Sequence, residues 1–176
     1  MSTKTDDPLQ FIFNRRSIKV YAPGKISDAE VTRLLQAAMA APSAGAKDPW
    51  RFVVIRERET LGKIAAALPF GKMLSTAPLG IVVCGALNAA HDGQLSCLLQ
   101  DCSAAIENLL LAAHALGLGA CWLAVHPRED RVWMLSELLS LPASVIPVAC
   151  IAVGHPGETK EPQTRFDPAY VHQEKW

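Results

Sequence analysis

Residues 95–119, LSCLLQDCSAAIENLLLAAHALGLG, decide how the rest of this 176-residue chain must be arranged. Residues 95–116 read as the longest helix, apolar around most of its circumference. Gln100, Ser103, Glu107 and His114 keep only a narrow polar stripe at helical spacing. A helix of this kind is buried nearly all round, at the centre of something larger than this chain alone. A bilayer span is the rival reading, and Gln100, Asp101, Glu107, Asn108 and His114 oppose it, because ionisable groups at mid-membrane are costly. Gly117 and Gly119 end the helix.

On its C-terminal side the pattern predicts a strand at 120–125 and a helix at 129–141 with acids in its first turn, closed by Pro142. A strand follows at 145–153. On the N-terminal side, Ser27-Asp28-Ala29-Glu30 is a capping box. The helix behind it sets Val31, Leu34, Leu35, Ala38 and Met39 on one face and must stop before Pro42. A loop of small residues, 42–49, leads into a strand at 50–56. A helix at 57–68, a loop with a short helical turn and an apolar strand at 79–84, buried on both faces, complete the middle. A short helix with Pro8 near its first turn is expected over 6–13. Helices alternate irregularly with about four strands, which predicts an α+β sandwich, a central sheet flanked by helices, rather than a doubly wound sheet. Residues 1–156 read as one domain. Residues 157–176 read as its C-terminal arm, whose Phe166, Tyr170 and Trp176 would anchor on a partner subunit.

Lysine plus arginine and aspartate plus glutamate each number 17, so the formal charge is zero. That balance argues against a nucleic-acid binder, which needs a basic surplus. Charged residues make up 19% of the chain, against roughly 25% in an average soluble domain. The shortage points to a surface partly covered by a second subunit. No targeting segment is expected, since residues 1–7 are polar and the apolar stretch 9–13 is too short. Five cysteines, an odd count without C-x-x-C, predict buried reduced thiols and a cytoplasmic protein without membrane attachment. The histidines at 91, 114, 126, 155 and 172 are scattered, so no metal site is expected. There is no G-x-S-x-G elbow, and Gly71-Lys72 and Gly117-x-Gly119 complete neither a phosphate loop nor a dinucleotide fingerprint. A chain with no evident acid, base or nucleophile suits chemistry carried by a bound cofactor. Asp101, Glu107, Asn108 and His114 are read as structural groups, hydrogen-bonded across an interface, and Cys121 as packing.

Three separated segments carry a resemblance: Arg15-Arg16-Ser17-Ile18-Lys19; Ala41-Pro42-Ser43-Ala44-Gly45-Ala46-Lys47-Asp48-Pro49-Trp50; and Gly117-Leu118-Gly119-Ala120-Cys121-Trp122-Leu123. Leu141-Pro142, Gly154-His155-Pro156 and Arg165-Phe166-Asp167-Pro168 follow in order. Each motif is weak alone, but their collinearity resembles the FMN-dependent nitroreductase family over almost the whole chain.

The resemblance implies a nitroreductase-like fold and a homodimer with two FMN sites at its interface, the long helix at the dimer centre. It implies an NAD(P)H oxidoreductase that passes hydride from NADH or NADPH through flavin N5 to a nitroaromatic, quinone or similar small acceptor. Dehalogenation, flavin destruction or a degenerate flavin-binding dimer are the alternatives within that resemblance. Arg15, Arg16, Ser17 and Lys19 resemble the family's phosphate, ribityl and ring contacts, and a planar guanidinium suits a phosphate dianion. Arg165 resembles the tail arginine that completes the phosphate site, although Gln163 stands where a lysine is common. Pro42, Ser43, Ala44 and Ala46 would lie along the flavin of the opposite subunit. Ala46 and Asp48 replace the usual asparagine and glutamine, which removes a side-chain contact to the ring. Trp122, Leu123, Ala124 and Val125 match the strand end beside the flavin, where a backbone N–H reaches N5. Some relatives carry a glutamate where Ala124 stands, so here a proton would come from water or substrate.

Overall fold

The computed structural model describes residues 7–176, so Asp6 of the expected first helix lies outside them. In chain order the elements are α1 (Gln10–Asn14), β1 (Tyr21–Ala22), α2 (Asp28–Met39), β2 (Trp50–Ile55), α3 (Arg58–Ala67), β3 (Leu79–Ala86), α4 (Leu95–Ala115), β4 (Gly119–Ala124), α5 (Glu129–Leu138) and β5 (Val145–Pro156). The five strands form one antiparallel sheet in the order β2-β3-β5-β4. Beyond Gly154, β1 takes the place of β4 along the same edge of β5.

Side chains alternate across a strand, and here the alternation divides the core in two. Leu79, Ile81 and Val83 of β3 and Ala149, Ile151 and Val153 of β5 face α2 and α4. Val82, Cys84, Cys150 and Ala152 face the opposite side, packed with Leu61 and Ile64 of α3 and Leu135 of α5. All eight residues of β3 are buried, as its unbroken apolar run predicts. Pro147 lacks an N–H for the ladder, and the β3–β5 register shifts beside it, with Val83 opposite Ala149 and Cys84 opposite Pro147.

The capping box forms as read: Glu30 N–H donates to Ser27 Oγ at 3.2 Å and Ser27 N–H donates to Glu30 Oε2 at 2.7 Å. Met39 departs from its expected place on the buried face. It ends α2 and is 51% exposed. The helix α4 buries eight residues against its own chain, the share of its expected burial that one chain supplies. It is long and apolar enough to cross a membrane, yet that buried side lies on the sheet and α2. Within the chain Asp101, Glu107 and Asn108 each find a partner. Ala44 N–H donates to Asp101, Glu107 pairs with Arg15, and Asn108 Nδ2 donates to Ala37 O.

Two features exceed the sequence reading. The two-residue strand β1 is too short to leave an alternation pattern, and β5 runs three residues past Val153 to pair with it. The first helix is also later and shorter than expected, beginning at Gln10 after a turn at Pro8-Leu9 and leaving no residue buried.

Candidate functional site

The segment that follows α1 is strapped along the open edge of β4. Ser17 bridges Ala120 in parallel, and Ile18 N–H donates to Ala120 O at 3.0 Å. Gly119 allows this approach, since a Cβ there would stand 2.7 Å from the Ile18 side chain. The tail closes over the same segment from outside. Gly157 N–H donates to Val20 O, and Glu158 Oε1 accepts from Lys19 N–H at 2.6 Å and Val20 N–H at 3.2 Å. Lys160 Nζ donates to Ser17 O at 2.6 Å and pairs with Glu158 at 3.2 Å.

This strapping gathers Arg15, Arg16, Ser17, Lys19, Lys160, Gln163 and Arg165 with Ile12 around a cavity of about 340 Å³. Five of these groups are cationic and none is acidic. Arg16 NH1 donates to Gln163 Oε1 at 2.7 Å, so the glutamine in the lysine's usual place orients an arginine instead. Arg15 is held from behind by Glu107 through Nε at 3.1 Å, which leaves its terminal nitrogens for the cavity. Lys160 was not among the expected site residues. It lies in a tail without periodicity, and only its contact with Ser17, 143 residues away, brings it here.

A neighbouring groove of about 440 Å³ also takes in Lys19, with Lys72, Ser75 and Thr76 on its far wall. A third hollow, of about 290 Å³, lies between Trp122, Leu123 and Ala124 on one side and Leu68, Pro69 and Phe70 on the other. The loop after α3 thus walls both spaces, a role for Phe70 and Lys72 that no motif announced. Leu123 and Val125 turn their side chains into the core and their peptide groups toward β5, where Val125 N–H donates to Val148 O, so neither offers a ligand a hydrogen-bonding group. Because Ala120 directs its carbonyl outward to Ile18, antiparallel alternation turns the peptide groups of Trp122 and Ala124 outward as well. Ala124 O accepts from Arg131 NH1 at 3.0 Å in agreement. Two backbone N–H groups are therefore presented at the edge of β4, beyond the strapped segment.

Pro42, Ser43, Ala44 and Ala46 do not join this cluster. They precede β2, on the opposite edge of the sheet, three strand spacings or about 14 Å from β4. Within one chain the expected site residues therefore form two groups.

Burial pushes the thiols of Cys84 and Cys150 up to about 12, and it raises that of Cys121 too. Cys121 is thus a packing residue beside the β4 edge. The backbone N–H of Lys19 holds the Glu158 carboxyl below its ordinary value, with Lys160 adding to the effect. A carboxyl lowered on folding stabilises above its unfolded value of about 4.3, and that contribution is lost as pH falls through the lowered one. Glu158→Gln should accordingly unfold at a lower temperature than wild type at neutral pH. The two melting curves should converge in acid, below the ordinary glutamate range. A gap that persists there would show that the charge of Glu158 is not what holds the strap.

The nitroreductase family model matches residues 12–70 and 65–155. A provisionally named NADH dehydrogenase/NAD(P)H nitroreductase of Archaeoglobus fulgidus is 45% identical over 97% of this chain and 99% of its own length. The crystal structure of a protein of the same provisional name from Parabacteroides distasonis superposes with a TM-score of 0.90 at 36% identity, covering 96% of this chain and 98% of that one. A provisionally named nitroreductase from Desulfovibrio desulfuricans, solved in complex with FMN, gives a TM-score of 0.84 at 34% identity over 98% and 99% of the two chains. These superpositions run over nearly the whole chain, and the chain belongs to the nitroreductase family.

Proposed function

We propose that the chain is an FMN-dependent NAD(P)H oxidoreductase that works as a homodimer. The observation that carries this reading is the cavity with five cations and no acid at the edge of β4. Its donor set fits a phosphate dianion: guanidinium forks at Arg16 and Arg165, point charges at Lys19 and Lys160, and the hydroxyl of Ser17. The Desulfovibrio relative is solved with FMN, and the name of the Archaeoglobus relative includes NAD(P)H.

The chemistry supplied by FMN when bound is hydride transfer at N5, from a nicotinamide donor and onward to a small oxidised acceptor such as a nitroaromatic or quinone. The protein's part is placement and electrostatics. Lys19 and Lys72 flank the groove beside the phosphate cavity, where fixed positive charge favours an electron-rich ring. The outward N–H groups of Trp122 and Ala124 would serve as hydrogen-bond donors to N5 of a bound flavin. Among the described residues, no side chain around these three spaces is a carboxylic acid, and protons for the acceptor would then come from water or from the acceptor itself.

The dimer supplies what one chain lacks. Pro42–Ala46 of a second copy would cover the ring, which reconciles the two groups of site residues on opposite edges of the sheet. Phe11, Ile12 and Phe13 of α1 and Phe166, Tyr170 and Trp176 of the tail are exposed on a single chain. We assign these apolar groups to the dimer contact, with residues 157–176 as the arm. Four buried thiols and one half-buried thiol, all free, are compatible with a reducing cytoplasm.

A visible absorption spectrum of the purified protein, followed by anaerobic NADH and then NADPH, tests the reading. A flavin band that bleaches with either donor is expected. No band after FMN is added would refute the cofactor assignment, and a band that resists both donors would refute the nicotinamide step.

A further inference from the structure

Asp101 is the one buried polar or charged residue among the described residues, 5% exposed. It stands on α4 among Leu98, Cys102 and Ala105, all fully buried. A carboxylate offers about four acceptor sites, and here almost all go unused. Oδ1 accepts from Ala44 N–H at 2.9 Å, while Oδ2 is buried with no partner among the described residues. An apolar residue of similar size would be better for the core, because a buried carboxylate with an orphaned oxygen raises the free energy of the fold. What Asp101 provides in return is its single bond to Ala44.

Ala44 opens a turn with an unusual backbone. Gly45, Ala46 and Asp48 all have φ between 50° and 58°, the left-handed region that L side chains disfavour. Such a shape persists only where its surroundings impose it, and besides Arg51 NH1, which donates to Asp48 O at 3.2 Å, three contacts do so. The Ser43 hydroxyl donates to Asp48 Oδ1 at 2.5 Å and accepts Asp48 N–H at 3.0 Å. His91 lies over Gly45, where a Cβ would stand 2.7 Å from its ring. The third is Asp101. The Ser43–Asp48 pair is internal to the loop, and His91 belongs to a surface turn. Asp101 alone ties the loop to a core helix.

We propose that Asp101 is a positioning residue for the ring-covering loop. Through Ala44 it holds the left-handed turn 45–48 in the shape that the loop presents to the flavin of the second copy. The proposal rests on the FMN-dimer reading above. It differs from simple bracing of the fold, because it predicts that stability and flavin binding separate.

Two substitutions separate them. Asp101→Leu removes the orphaned oxygen together with the bond to Ala44, and Asp101→Ala serves in its place should leucine not fit. Asp101→Asn keeps an oxygen for Ala44 N–H but places an NH2 where Oδ2 has no partner. The leucine variant should melt no lower than wild type, while the amides of residues 44–48 exchange with deuterium about tenfold faster in the apoprotein. Its FMN dissociation constant should rise about tenfold, the scale of one lost hydrogen bond to a charged group. The asparagine variant, which removes the charge and keeps the bond to Ala44, should keep near-native exchange in the loop and near-native FMN affinity.

Unchanged exchange at residues 44–48 in the leucine variant would overturn the hold of Asp101 on the loop. Faster exchange with unchanged FMN affinity would overturn the role in flavin binding. Flavin affinity that follows melting temperature across both variants would reduce Asp101 to a brace. Failure of the wild type itself to bind FMN would instead overturn the cofactor reading. The exchange experiment would still report the Asp101–Ala44 contact.

Discussion

Replacing Arg16 and Arg165 together by alanine should raise the FMN dissociation constant by roughly two orders of magnitude or more, without lowering the melting temperature of the apoprotein. Both residues line the cationic cavity, and among the described residues Arg16 donates there to the exposed Gln163. Neither belongs to the buried core. A hydrogen bond to a charged group contributes about 1.5–3 kcal/mol, so each arginine alone should cost about one order of magnitude after allowance for solvent screening. Lys19, Lys160 and Arg15 remain in the double variant, so binding should be weakened rather than abolished. Lysine at either position should restore charge but not the planar fork, and should recover only part of the affinity. Fluorescence titration of the apoprotein with FMN, repeated at two salt concentrations, measures both effects. An unchanged dissociation constant in the double variant would move the phosphate out of this cavity.

That cavity shows which parts of the molecule could be read from the sequence. The long helix α4, the capping box at Ser27 and the all-apolar β3 are local patterns, set by residues three, four or two apart, and each appears where the pattern puts it. Arg15, Arg16, Ser17, Lys19 and Arg165 were legible only as members of collinear motifs, and the structure brings all five together. Lys160 and Glu158 were not legible. Their partners are Ser17, Lys19 and Val20, nearly the whole chain away, in a tail where no period announces contact. The strand β1 is invisible for a related reason, since it exists through pairing with the end of β5 and has only two residues. Asp101 is the converse case. Its place on an apolar helix marked it as structural, but the partner that gives it meaning is a backbone N–H, which leaves no trace in sequence.

The two groups of expected site residues follow from the strand order. In β2-β3-β5-β4, the loop before β2 and the strap along β4 end on opposite edges of the sheet, and no side-chain adjustment within one chain closes that gap. Two copies related by a two-fold axis can place each loop against the other's strap, since an isologous contact exchanges like surfaces. The helix α4 is suited to lie between them. Its buried side already serves its own chain, while Leu99, Ala104 and Leu111 are left half-buried.

Gly85→Ala should destabilise the fold by about 1–3 kcal/mol, the usual cost of overpacking a close-packed core. Gly85 sits in β3 opposite Trp50 of β2 and Ile146 of β5, where Leu98 of α4 lies directly on the backbone. A Cβ at position 85 would stand 2.4 Å from Leu98 Cγ and Cδ2. Leu98 has no exposed surface, and its Cγ is not a flexible end that can swing aside, so either α4 or β3 must move. Leu98→Ala alone should cost about 2–5 kcal/mol by opening a cavity. Combined, the substitutions should cost less than their sum by about 1 kcal/mol or more, because the new methyl group fills space that the leucine vacates. For a chain of this length each kcal/mol moves the melting temperature by about 2–4 °C, so thermal unfolding of the four proteins resolves the coupling. Strict additivity would mean that Leu98 does not rest on Gly85. The consequence reaches the site, because Ala86 N–H donates to Pro49 O at 2.8 Å. A shift of β3 away from α4 pulls on the end of the same loop that Asp101 holds at Ala44, so the packing of this glycine helps set how the covering loop is presented.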